Sequence, residues 1–219
     1  MTVALDTDVE AARRHVERAV PTPPAAALPS LLDSAHVVDE LFGIVNVPNA
    51  VWIDETGVIV RPAEPAHPGR NPETESFRTL DASTLPDEIA QVLLEARKIR
   101  TEPERYLEML RDWVERGSSS RYALAADEVV ARADRRSDAE ARAAAHFELG
   151  QHCERAGLHD AAVRHWREAH RLAPANWTYK RNAWSIEDPR QGPTDVYESS
   201  WFDDVKAIGA ENYYPPLVP

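Results

Sequence analysis

Cys153 is the one thiol in 219 residues, and it stands among His146, His152, His159, His165 and His170. Thiol exchange needs a thiolate, normally at a helix N-terminus and with a second cysteine to resolve the mixed disulfide. One cysteine excludes a CxxC pair and any intrachain disulfide. Cys153 also falls inside a helical pattern at a packing position, where a buried thiol behaves as a small hydrophobe. The histidines read poorly as metal ligands. No pair has the i, i+4 spacing that sets two ligands on one helix face, and only His146 and Cys153 share a face. Neither a metal nor another cofactor is expected. Asp6, Asp8, Asp33 and Asp54 lie at or near strand ends, where α/β folds host sites. Asp8 and Asp33 precede helices and Asp54 enters a turn, so capping accounts for them. The chain has neither a glycine-rich phosphate loop nor a serine nucleophile elbow.

The elements that would position such residues follow from the pattern. Ile44 to Arg61, IVNVPNAVWIDETGVIVR, reads as two short strands joined by a tight turn. Val51, Ile53, Val58 and Val60 suit a pleated surface, and Gly57 supplies the turn's positive φ. Pro48 stands just before the first of these strands, where its missing N–H does least harm. Upstream, Thr2 to Leu5 reads as a strand, and Thr7 with Glu10 forms a capping box for a helix reaching Val20. A proline-rich connection leads to a short extended piece at Leu31 and Leu32. Asp33 or Ser34 then caps a short helix with Val37, Val38 and Leu41 on its apolar side, closed by Gly43. The order β, α, β, α, β, β predicts an α/β region with a parallel crossover and an antiparallel ending.

Pro62 to Asp81 reads as a long surface loop. A helix capped at Thr84 follows, carrying Ile89, Val92, Leu93 and Ile99. From Thr101 the character becomes helical: Thr101 and Glu104 form a capping box, Tyr106, Leu107, Leu110, Trp113 and Val114 make an apolar stripe, and Tyr122 to Ala133 looks helical. Ser137 with Glu140 caps the next helix. The tail from Ile186 is proline-rich yet holds Trp201, Phe202, Tyr213 and Tyr214, aromatics that disordered tails avoid. It reads as a strap with one helix near Ser200 to Ile208, packed back on the body. Three stretches result: 1–100, 101–185 and 186–219.

Composition narrows the function classes. The formal charge of -12 argues against a nucleic-acid or anionic-membrane surface, which needs clustered Lys and Arg. No apolar run approaches a membrane span, and MTVALDTD lacks the basic start and apolar middle of a signal peptide, so a cytoplasmic protein is expected.

The loop with Pro48, followed by an apolar strand ending in Asp54, a Gly turn and a second strand, resembles the region opposite the redox motif in thioredoxin-like proteins of the ResA/TlpA redoxin type. The resemblance covers residues 1–100. It implies a cis Val47–Pro48 bond and a substrate groove in which the backbone of Val47, with Pro48, pairs with a protein thiol, disulfide or peroxide substrate. The family's Cys, or in some relatives a selenocysteine, belongs to a strand and helix ahead of Thr2. Its strand would lie between Thr2–Leu5 and Ala50–Asp54, so the resemblance implies a fragment of a longer oxidoreductase that is inactive as given. A second resemblance, to a tetratricopeptide repeat, rests on Leu149, Gly150, Cys153, Ala162, Trp166, Ala169 and Pro174. Gly150 and Ala162 would let two helices approach closely, with Trp166 filling the gap. His146 replaces the family's large aromatic and Cys153 its usual Tyr. This likeness implies a rival, non-enzymatic role: an adaptor binding a protein partner on its concave face through Phe147, Gln151 and Glu154.

Overall fold

The computed structural model describes residues 1–6, 9–19, 29–67, 72–133, 135–187, 196–197 and 199–219. The Thr7 half of the first capping box, Asp8, most of the proline-rich connection, Pro189 and Pro193 lie outside them. The chain is mixed α/β. In order it forms β1 (Thr2–Ala4), α1 (Val9–Ala19), β2 (Ser30–Leu32), α2 (Val37–Phe42), β3 (Asn49–Ile53) and β4 (Ile59–Pro65). Then come α3 (Pro72–Thr79), α4 (Asp87–Ala96), α5 (Pro103–Arg116), α6 (Ala126–Arg132), α7 (Asp138–Arg155), α8 (His159–Leu172), α9 (Trp177–Glu187) and α10 (Trp201–Ile208). Two compact units result, Met1–Val45 with Arg136–Ala183 and Asn46–Arg135 with Trp184–Pro219. Each draws on residues before 100 and on the helical stretch after it.

In the first unit β1 and β2 pair in parallel, Thr2 opposite Ser30 and Ala4 opposite Leu32. A parallel pair needs a crossover, and α1 lies between the two strands in sequence. α2 departs from the expected pattern. Val37 and Leu41 are 52% and 75% exposed, whereas His36 and Asp39 are 4% and 2% exposed. The buried side of α2 is therefore polar, stabilised by specific hydrogen bonds instead of apolar burial. Asp33 Oδ2 accepts from the Val38 N–H at 2.6 Å, and Gly43, at φ 67°, closes the helix.

α7 and α8 form a hairpin across the short Ala156–Leu158 connection. Ser137 and Glu140 make the expected reciprocal cap on α7. Ala143, Ala162, Trp166 and Ala169 are fully buried. At Gly150 a Cβ would meet Trp166 Cδ1 and Nε1 at 2.5 Å each, so the close approach needs a residue with no side chain.

In the second unit β3 and β4 pair antiparallel, with the register irregular around Trp52. Asp54 Oδ1 organises the turn by accepting from the Thr56 and Val58 N–H groups. Of the β-branched residues Val60 turns inward at 9% exposure, whereas Ile53 and Val58 are 43% and 53% exposed, and the most buried side chain of the hairpin's apolar residues is Trp52 at 3%. Trp52, Val60, Ala66, Tyr106, Met109 and Tyr122 form the core, so α5 packs on the hairpin. Trp52 stacks on Trp113 and donates from Nε1 to the Tyr106 hydroxyl at 2.8 Å.

The stretch from Pro62 to Asp81 is not one long loop. β4 runs on through Pro62 to Pro65, and α3 follows with Pro72 as its first residue. Proline is tolerated both on an edge strand and in a first helical turn, which is why composition alone misleads here. Two helix starts also shift. α4 begins after Pro86 and α5 after Glu102, neither with a side-chain cap, and residues 122–125 precede α6 without being helical. The strap helix α10 falls where a helix was expected, near Ser200 to Ile208; Ser200 caps it, and it packs against α4.

Candidate functional site

The Val47–Pro48 peptide bond is cis, as the sequence resemblance implied. The loop is fixed at both ends by hydrogen bonds. Pro48 C=O accepts from the Ala66 N–H at 3.2 Å, prolonging the β3–β4 ladder past its last pair. Asn46, 5% exposed, accepts the Val47 N–H on its own Oδ1 at 2.9 Å and donates from Nδ2 to Tyr213 C=O at 3.1 Å. Tyr214 donates its hydroxyl to Val47 C=O at 2.8 Å. Both backbone groups of Val47 therefore have partners within the chain, one of them from the strap. Pro48 itself is exposed.

The strap reaches this position because its end is clasped. Arg61 is fully buried. It donates from Nε and Nη2 to the two Glu64 carboxylate oxygens at 2.9 and 2.8 Å and from Nη1 to Tyr122 C=O at 3.0 Å. Its Nη2 also donates to Val218 C=O. Leu217 packs against the Trp52 core, and its N–H donates to Glu102 Oε1. Sequence reading found the strap but not the arginine that holds it, since Arg61 and Val218 are far apart in the chain.

Cys153 is buried at 7% in α7, as its packing position suggests. Phe147 and Gln151 face inward at 3% and 4% exposure. Phe147 lies 4.2 Å from the Tyr179 ring and 5.0 Å from the His36 ring, centroid to centroid. Gln151 donates to Asn182 at 2.6 Å, Asn182 Nδ2 sits 3.2 Å from His36 Nε2, and His36 Nδ1 sits 2.9 Å from Asp39 Oδ2. The Trp177 N–H donates to Val45 C=O at 2.6 Å, and Tyr179 donates to Glu40. The Tyr179 hydroxyl is held well above the usual phenol range, first by burial and then by that bond to Glu40. The face expected of Phe147 and Gln151 as a partner contact is thus filled by His36, Tyr179 and Asn182 of the same chain. Glu154, half-buried, pairs with His159 at 2.8 Å.

Among the described residues no group of three or more His, Cys, Asp or Glu side chains is placed to hold a metal. His146 and His165 do meet, Nδ1 to Nδ1 at 3.0 Å across the α7–α8 hairpin. Intrahelical spacing could not reveal a pair formed between two helices. Among the described residues no helix is long and apolar enough to cross a membrane. No protein-family model, no curated protein and no solved structure matches this chain.

Proposed function

We propose that the chain carries the substrate-docking part of a thioredoxin-like redoxin of the ResA/TlpA type, joined to a tetratricopeptide-like helical pair. The Val47–Pro48 loop would receive a thiol, disulfide or peroxide substrate, which would have to displace the Tyr214 hydroxyl from Val47 C=O to pair with that backbone. The observation that carries this reading is the pairing pattern: a parallel β1–β2 pair on either side of α1 in sequence, then an antiparallel β3–β4 hairpin entered through that loop. The reactive thiol or selenol is assigned to a segment outside these 219 residues, because Cys153 is packed in the helix pair, buried away from solvent and without a second cysteine to resolve a mixed disulfide. In this reading the helical pair braces the segment after β2. A partner in the adaptor role would have to displace His36 and Glu40 from α7 and α9.

The test is to read the gene's frame ahead of Met1 for a strand–loop–helix segment with Cys or an in-frame UGA, and to assay the extended protein for thiol-dependent disulfide and peroxide reduction. The reading expects turnover that depends on that upstream residue and falls on Pro48→Ala. An extended frame without such a segment, or an extended protein without turnover, overturns it.

A further inference from the structure

A cavity of about 450 Å³ opens beside the hairpin in the second unit, between the ends of β4 and α5 and the strap. That volume lies in the range of small-molecule sites. Its walls combine apolar surface from Tyr214 and Leu217 with three polar groups, Tyr106, Arg100 and Glu211, whose hydrogen bonding is incomplete among the described residues. Tyr106 is 3% exposed. Its oxygen must accept from Trp52 Nε1, which can only donate, so the phenolic O–H still needs an acceptor, and no described residue supplies one. His67 Nε2 is fully buried and likewise has no partner among the described residues. Buried polar atoms in native folds are nearly always satisfied, so the unmet Tyr106 O–H beside the cavity points to an occupant. At the rim stand Arg100 and Glu211, both exposed, neither with a partner among the described residues and not paired with each other.

We infer that this cavity binds a small zwitterion with an apolar body, of the class of a free amino acid or short peptide. Its carboxylate is received by the Tyr106 O–H and Arg100, its ammonium by Glu211, and its side chains by Tyr214 and Leu217. A simple anion would leave Glu211 opposing it, and a simple cation would leave Arg100 opposing it. A molecule with both charges uses both. Burial lowers the His67 pKa, so the imidazole is neutral at pH 7 and adds no charge to the wall. This inference is independent of the redoxin reading.

The experiment is calorimetric titration of the full chain with L-leucyl-L-leucine, its N-acetyl form and its C-terminal amide. Saturable binding of the free dipeptide, weakened at least tenfold by blocking either end, is expected. Arg100→Gln should weaken the free dipeptide but leave the amide's affinity unchanged, and Glu211→Gln should weaken the free dipeptide but not the acetylated form. Both side chains are exposed, so these variants keep the fold. No saturable binding, equal affinity for all three probes, or affinities indifferent to both substitutions overturns the proposal.

Discussion

Substituting Gly150 with alanine tests the packing of the helical pair at its tightest point. In a helix interior, Gly→Ala normally stabilises by about 1 kcal/mol. Here the added methyl would sit 2.5 Å from two indole atoms of Trp166 and 3.1 Å from a third. Trp166 is fully buried and flanked by Ala162 and Ala169, also fully buried, so the ring has little room to retreat. Overpacking costs about 1–3 kcal/mol, and contacts of 2.5 Å against a fixed ring put this one in the upper part of that range, about 2–3 kcal/mol. The clash therefore outweighs the propensity gain, and a net loss of about 1–2 kcal/mol is expected. Amide hydrogen exchange reads this locally, with protection in α7 and α8 falling roughly 5- to 30-fold. Gly157→Ala separates clash from backbone strain: its Cβ meets nothing within 4 Å, but φ is +73°, so a loss of about 1 kcal/mol is expected from conformation alone. Increased protection in Gly150→Ala would refute the close approach of the two helices.

Arg61→Met should destabilise the second unit by about 3–5 kcal/mol, because Glu64 and two carbonyls lose a buried partner; a loss below about 1 kcal/mol in denaturant titration would contradict the clasp. Ser137→Ala should cost α7 about 1 kcal/mol. The Glu140 carboxyl is held below its usual range, first by the Ser137 N–H and then by the Ser137 side chain. That contribution is present above the unfolded carboxyl pKa and is lost as pH falls through the depressed folded value, so the variant's stability should depend less on pH in the acid range, checked by melting across that range. Cys153→Ala should leave any thiol-dependent turnover of the extended protein unchanged, whereas loss of turnover would place Cys153 in the chemistry.

Local signals carried well where one residue type had one physical use. Ser137 and Glu140 marked a cap, Gly57 a turn, and Gly150 with Trp166 a close helix pair. They failed where tertiary partners decide. α2 looks apolar by spacing, yet His36 and Asp39 are its buried residues, because Asn182, about 150 positions away, completes their hydrogen bonds. Phe147 and Gln151 read as surface contacts until His36, Tyr179 and Asn182 are seen to fill their face. The prolines of residues 62–81 suggested a loop and instead sit on an edge strand and in a first helical turn. Val47 and Pro48 were legible as a loop of special geometry. The Tyr214 hydroxyl on Val47 was not, since nothing in the order of the chain links the two.

The central claim is that the Val47–Pro48 loop docks the substrate of a thiol or selenol reaction. The most direct measurement is the rate of thiol-dependent disulfide and peroxide reduction by the protein expressed from the upstream-extended frame, compared with its Pro48→Ala variant and with the 219-residue chain. Turnover in the extended protein, reduced by Pro48→Ala and lacking in the 219-residue chain, is the predicted result. Turnover that is indifferent to Pro48, or an extended protein that folds and reduces neither substrate, would contradict the account.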